Sequence, residues 1–117
     1  MRGNNGHIAE SLSRRFKENS LKHSRQTAIQ WKKNDKWIDI SYENLKNNVE
    51  AKASFLLEKK IGKGDRVAIL LENRPEWPVY FFAIVSIGAI AVPIDPEASR
   101  KEVDSILADS GCKFVFD

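Results

Sequence analysis

The stretch from Arg66 to Leu71 reads RVAILL, a short and nearly continuous apolar run. Such a run is typical of a strand that is buried on both faces of a parallel sheet. Two further apolar runs follow, at residues 89–92 and 113–116, and a helical pattern precedes each of them. Because parallel strands joined by helical crossovers form an open α/β sheet, residues 66–117 predict a βαβαβ unit.

The first crossover helix has mixed signals at its start. Asn73 can cap a helix and Pro75 suits the first helical turn. Pro78 lacks a backbone donor, so we expect this helix to begin late or irregularly and to run to about Ile87. Gly88 is the expected stop. The second crossover helix is predicted to begin with a capping box formed by Ser99 and Glu102, and Gly111 is its expected end.

Three elements are predicted before this unit. Apolar residues four apart predict an amphipathic helix over residues 8–20, and two alternating runs around an Asn-Asp turn predict a β-hairpin over residues 26–40. Spacings of three and four predict a helix over residues 41–60. The fold class is therefore α/β, an incomplete open, mainly parallel sheet with flanking helices, preceded by a helix and a hairpin. We expect residues 1–117 to form a single N-terminal subdomain fragment.

Composition narrows the function classes. The 117 residues are 42% hydrophobic and 30% charged, which is ordinary for a globular chain. The net charge of +3 is divided into +6 over residues 1–60 and −3 over residues 61–117, and the basic residues lie in scattered pairs, so no nucleic-acid partner is expected. One cysteine and an apolar stretch too short to span a bilayer favour a cytoplasmic protein, peripheral to a membrane at most.

Most residues that could be catalytic or bind a ligand have no second such residue at a suitable spacing in the sequence. Residues 62–65 read GKGD, but they precede a strand, whereas phosphate-binding loops follow one, so a tight turn is favoured. Cys112 is expected to be a small buried residue. Trp31 and Trp37 flank the hairpin turn and are expected to pack across it. No catalytic, cofactor-binding or metal-binding residue is predicted.

Two loops remain as candidate substrate-side sites, because ligands of open α/β sheets bind beyond the carboxyl ends of the strands. Asn73 and Arg74 follow the first strand, and Arg74 could contact an anion beside a helix start. The alternative is that Asn73 only caps the helix and Arg74 is solvated. Asp95 follows the second strand between two prolines, where a turn-forming role is favoured over a catalytic one.

A series of short motifs covers nearly the whole chain. They are Ser41-Tyr42 with Leu45, Gly64 to Val67, Asn73-x-Pro75-Glu76-Trp77, Gly88-Ala89 before Val92-Pro93, and Ile106 to Gly111. In this order and spacing they resemble the N-terminal region of AMP-forming acyl-CoA synthetases, which belong to the adenylate-forming superfamily. The Pro-Glu-Trp motif is more similar to that of fatty-acyl synthetases than to that of peptide-synthetase domains.

The resemblance implies a two-step ligase reaction for the full-length enzyme. A fatty-acid-type carboxylate would react with ATP and Mg to give an acyl-adenylate, and CoA would then displace AMP. The family's phosphate loop, adenine segment and catalytic lysine have no matching positions here, so the resemblance carries over no catalytic residue. It implies that this chain is inactive alone and that its partner is the rest of its own enzyme chain.

Two other function classes stay open from the sequence. One is a stand-alone flavodoxin-like or receiver-like binding module, for which Glu72 and Asp95 would be the acids at strand ends. The other is a non-catalytic interaction domain. An incomplete sheet exposes apolar surface, so self-association of the chain is expected.

Overall fold

The computed structural model describes residues 14–71 and 76–117. A first helix, α1, is described over residues 14–22, and the predicted residues 8–13 of this helix lie outside the described part. The other elements follow in the predicted order: β1 (Thr27–Lys33), β2 (Lys36–Ser41), α2 (Tyr42–Glu58), β3 (Arg66–Ile69), α3 (Glu76–Ser86), β4 (Ile90–Pro93), α4 (Arg100–Ser110) and β5 (Phe114–Phe116).

Strands β3, β4 and β5 form a parallel three-stranded sheet in the order β4-β3-β5. Strand β3 is central, and Val67, Ala68 and Ile69 are completely buried. This burial confirms the prediction from the RVAILL run. The predicted α/β fold with a parallel sheet, a preceding helix and a preceding hairpin is confirmed as well.

Helix α2 begins at its predicted cap. The Ser41 hydroxyl accepts a hydrogen bond from the backbone N–H of Asn44 at 3.2 Å, which satisfies a donor that the first turn leaves free. The helix ends at Glu58, slightly before the predicted Lys60, because Lys60 has left-handed backbone angles (φ 63°). Its buried residues are Leu45, Val49 and Leu56.

Helix α3 contains Pro78 near its start, where backbone N–H groups have no intrahelical acceptor in any helix. Glu76–Ser86 is a continuous helix, and the residues before it, 72–75, where an irregular start would lie, are outside the described part of the chain. Beyond it, Gly88 has φ +79°, and the N–H of Ala89 donates to Ile84 O at 3.1 Å. This glycine stop is where the sequence predicts it.

Aromatic side chains join the helices to one another and to the sheet. Phe16 of α1 stacks on Phe82 of α3 with ring centroids 4.5 Å apart, and Tyr80 of α3 stacks on Phe116 of β5 at 4.1 Å. Phe55 of α2 meets Phe114 of β5 edge-on at 5.5 Å. In contrast, α4 has no buried residue. The core of the described chain therefore lies between the sheet and helices α1 to α3.

The hairpin turns at Asn34 and Asp35, which both have positive φ (51° and 64°), as a type I′ turn requires. Its register pairs Trp31 with Ile38 and Lys32 with Trp37. Because neighbouring positions of a strand face opposite sides, the two tryptophans lie on opposite faces of the hairpin. The expectation that they pack across it is wrong.

Candidate functional site

The carboxyl ends of β3, β4 and β5 meet at one edge of the sheet, because the strands are parallel. Two backbone hydrogen bonds tie this edge together: Ile94 N–H donates to Ile69 O at 2.9 Å, and Leu70 N–H donates to Phe116 O at 2.8 Å. The loops that leave β3 and β4 therefore start side by side. Asn73 and Arg74 belong to the first of these loops and lie outside the described residues.

Asp95, in the second loop, has its polar groups engaged in a turn. Its Oδ1 accepts a hydrogen bond from Glu97 N–H at 2.9 Å, and its backbone carbonyl accepts one from Ala98 N–H at 3.0 Å. Such local bonds are how Asp stabilises turns. The geometry places Asp95 at the start of a tight turn that leads from β4 to α4.

A shallow groove of about 390 Å³ lies beside this edge, between α4 and the ends of β3 and β5. Its apolar wall is formed by Leu70, Val103, Leu107 and Val115. Arg100 and Asp104 line its rim, one helical turn from each other. They form an exposed ion pair in which Arg100 Nε lies 3.9 Å from Asp104 Oδ2. The sequence does not predict this groove, because the groove depends on where α4 lies relative to β5.

A cluster of metal-ligating side chains would be one sign of a binding site at the carboxyl edge of the sheet. Within residues 14–71 and 76–117 no three His, Cys, Asp or Glu side chains cluster as metal ligands do. The Asp95 carboxylate is engaged in its turn, and the glycine-containing turn at residues 62–65 lies at the opposite edge of the sheet.

That opposite, amino-terminal edge is held by Asp65. Its Oδ2 accepts a hydrogen bond from Gly62 N–H at 2.9 Å, and its Oδ1 lies 2.9 Å from Lys113 Nζ. The Gly62 hydrogen bond and the Lys113 ammonium together hold the pKa of the Asp65 carboxyl below its ordinary value of 3.8, against a smaller opposing effect of burial. The sequence predicts this tight turn but not its ion pair.

Cys112 is half-buried, with its Sγ 3.1 Å from Ser110 Oγ at the end of α4. It lies beyond Gly111 and before β5, so it is also at the amino-terminal edge. Among the described residues no helix is long and apolar enough to cross a membrane.

Comparisons with known proteins place this fold in a family. The model of the family described as "AMP-binding enzyme" matches residues 16–117. Long-chain-fatty-acid–CoA ligase FadD15 of Mycobacterium bovis is 35% identical over 80 residues, which cover 68% of this chain and 13% of the ligase. FadD13 of Mycobacterium tuberculosis, a ligase of the same description, is 37% identical over 78 residues, or 67% of this chain and 16% of the ligase.

Solved structures agree with this placement. Klebsiella oxytoca NpsA in complex with 3-hydroxyanthranilyl-AMSN superimposes with a TM-score of 0.79 at 26% identity, over 88% of this chain and 20% of NpsA. The fatty acid AMP ligase from Legionella pneumophila has the same fold, with a TM-score of 0.82 at 24% identity over 89% of this chain and 19% of the ligase. The chain spans about a seventh of the length of its curated relatives.

Proposed function

Because the chain belongs to the family of AMP-binding enzymes, we propose that it is the N-terminal part of an ATP-dependent acyl-CoA synthetase. The observation that carries the proposal is the similarity to long-chain-fatty-acid–CoA ligases at 35% and 37% identity across two thirds of the chain. The proposed substrate is accordingly a fatty acid. The proposed compartment is the cytoplasm.

In this proposal the longer protein joins a carboxylic acid to CoA through an acyl-adenylate, with release of pyrophosphate and then AMP. Charge that develops on the reacting phosphate needs cationic groups and backbone donors around it. The described residues do not offer that set at the carboxyl edge of the sheet. ATP, Mg²⁺ and CoA are therefore assigned to other parts of the longer protein, and the chain alone is expected to be inactive.

In this proposal the chain contributes to the reaction by positioning loops around the substrate. Strand β3 is buried from Val67 to Ile69, so its carboxyl end holds a fixed place in the fold. The loop that contains Asn73 and Arg74 follows β3, and the turn at Asp95 follows its neighbour β4. We assign these loops to the wall of the substrate site, with Asp95 as the residue that fixes its loop.

The rest of the enzyme is the proposed partner of α4 and of the groove beside it. Helix α4 has no buried residue, and Ile106 on this helix is 37% exposed. Ile90 on the edge strand β4 is 46% exposed. Apolar surface of this kind is normally covered in a larger domain. Without that cover we expect the 117-residue chain to self-associate as its concentration rises.

The test is acyl-CoA formation by the protein translated from the complete reading frame that contains these 117 residues. Incubated with ATP, Mg²⁺, CoA and a panel of carboxylic acids, it should form the CoA thioesters of fatty acids, detected by mass spectrometry. The 117-residue chain in the same assay is the control and should form none. A correctly folded longer protein that forms no thioester with any acid of the panel would overturn the proposal.

A further inference from the structure

The tip of the hairpin, residues 32–37, exposes a large aromatic side chain to solvent. Trp37 is 66% exposed, although Trp is among the residues that gain most from burial. Lys32 lies directly opposite in the register, and its Nζ is 5.9 Å from the centre of the Trp37 ring. The tip therefore presents a tryptophan and an ammonium group together.

The exposure of Trp37 follows from the register of the hairpin. Gln30, Lys32, Trp37 and Asp39 share one face, and all four are exposed. The opposite face carries Ile29 and Ile40, which pack against the hydrophobic core. One face of the hairpin therefore packs against the core. Trp37 lies on the other face, which is exposed to solvent.

Basic residues outnumber acidic ones in the segment of sequence that contains the hairpin. Residues 14–41 carry eight Lys and Arg against three Asp and Glu, a net charge of +5, whereas the whole chain has only +3. Lys32 and Lys36 at the tip are both exposed. Asp35 and Asp39 are the neighbouring acids on the hairpin, and they reduce the local excess without reversing it.

We propose that the hairpin tip binds the surface of an anionic lipid bilayer, with Trp37 entering the headgroup region. Tryptophan prefers that region because its ring is apolar and its indole N–H remains hydrated. Lysines beside it are attracted by anionic headgroups. The combination of an apolar side chain with basic neighbours is what reversible membrane attachment requires, since one signal alone gives only marginal binding.

A bilayer fits the tip better than a nucleic acid does. Binding to single-stranded nucleic acid uses several aromatic rings along a basic groove, on which successive bases stack. The exposed face of the hairpin has one aromatic ring, at Trp37. Trp37 projects beside the hairpin turn, where its ring can insert between lipid headgroups. A single ring in this position cannot stack on the successive bases of a nucleic-acid strand.

The test is binding of the 117-residue chain to sonicated vesicles, measured by tryptophan emission and by flotation on a density gradient, in which self-associated chain without lipid does not rise. Vesicles that contain phosphatidylglycerol should bind the chain and shift its emission to the blue, and pure phosphatidylcholine vesicles should not. Trp37→Ser should weaken binding about tenfold, because the apolar contribution is lost. The matched control is Leu57→Ser, an exposed apolar residue of α2, which should bind like the parent chain.

Charge reversal provides the second arm. The double variant Lys32→Glu, Lys36→Glu should weaken binding by at least about 25-fold, since each lysine near an anionic surface contributes about fivefold. The control Lys63→Glu, Lys101→Glu changes the net charge equally at two exposed positions elsewhere and should have a much smaller effect. Circular dichroism of each variant establishes that the fold is intact.

Three results would overturn the proposal. The two charge-reversal pairs could weaken binding equally, which would indicate attraction to net charge alone. Trp37→Ser could bind as well as the parent chain. Heparin could compete with the vesicles while Trp37→Ser binds heparin normally, which would indicate a general polyanion site. None of these measurements depends on ligase activity, so they remain separate from the proposed function.

Discussion

Lys113 Nζ lies 2.9 Å from Asp65 Oδ1, and this ion pair joins the residue before β5 to the turn before β3. The same carboxylate accepts a hydrogen bond from Gly62 N–H through its other oxygen. Beside it, Lys113 N–H donates to Arg66 O at 2.8 Å. Asp65 thus fixes both the shape of the turn and the position at which β5 joins the central strand.

The first prediction concerns pH. The pKa of Asp65 is lowered in the folded chain by the Gly62 hydrogen bond and by Lys113, so the unfolded chain binds the proton more readily. The contribution of Asp65 to the free energy of unfolding is therefore present above its ordinary pKa of 3.8 and is lost as the pH falls through the lower folded value.

Urea unfolding of the parent chain and of Asp65→Asn at several pH values measures this effect. The variant should be less stable than the parent at pH 7 and should lose less stability on acidification. Asp109→Asn, an exposed acid of α4, is the matched control and should follow the parent. Identical acid dependence of parent and Asp65→Asn would show that the ion pair contributes nothing.

The second prediction concerns Gly88, which has φ +79°. A Cβ atom there would lie 3.4 Å from both Cβ and Cγ of Lys63, and the left-handed backbone itself disfavours a side chain. Gly88→Ala should therefore lower the free energy of unfolding by about 1–2 kcal/mol. The backbone bond from Gly64 N–H to Gly88 O, at 2.9 Å, would be strained by the same change.

Gly62 offers a matched control for that substitution. A Cβ atom at Gly62 would meet nothing within 4 Å, and its φ is not in the left-handed region. Gly62→Ala should change the free energy of unfolding by less than about 0.5 kcal/mol, measured by the same urea titration. Equal effects of the two substitutions would contradict the conformational argument.

The third prediction compares neighbouring leucines of α2. Leu56 is completely buried, whereas Leu57 is 55% exposed. Leu56→Ala should cost about 2–5 kcal/mol of unfolding free energy, because it removes apolar contacts and leaves a cavity. Leu57→Ala should cost less than about 1 kcal/mol. Comparable losses in thermal or chemical unfolding would mean that the side of α2 facing the sheet has been assigned wrongly.

The fourth prediction concerns the cap of α4. The Ser99 hydroxyl accepts from Glu102 N–H and donates to Glu102 Oε1, both at 3.2 Å. Because α4 has no buried residue, its stability depends on such local bonds. Ser99→Ala should destabilise this helix by about 1 kcal/mol, seen as roughly fivefold faster amide exchange in α4. Ser105→Ala, an exposed position within α4, should leave that exchange nearly unchanged.

Local signals in the sequence predict much of this fold. The continuous apolar run of β3 requires burial on both faces, and the capping pattern of Ser99 with Glu102 specifies a helix start independently of its surroundings. Asp95 between prolines predicts a turn, and the structure has one. The motif series also indicates the family, which the match over residues 16–117 confirms.

The features that the sequence does not predict depend on strand register and on contacts between residues that are far apart along the chain. Lys113 is far from Asp65 along the chain and meets it only because β5 pairs with β3. The faces of Trp31 and Trp37 are set by the hairpin register, and a shift of one residue between the strands would place both on the same face. The groove beside α4 likewise requires the position of a helix that has little packing to fix it.

Pyrophosphate exchange tests the central claim most directly, because it reports formation of an acyl-adenylate. The protein translated from the complete reading frame should incorporate labelled pyrophosphate into ATP only when a fatty acid is present, and without any need for CoA. The 117-residue chain should give no exchange under the same conditions. Exchange by the short chain alone, or its absence from a folded longer protein with every carboxylic acid supplied, would contradict the account.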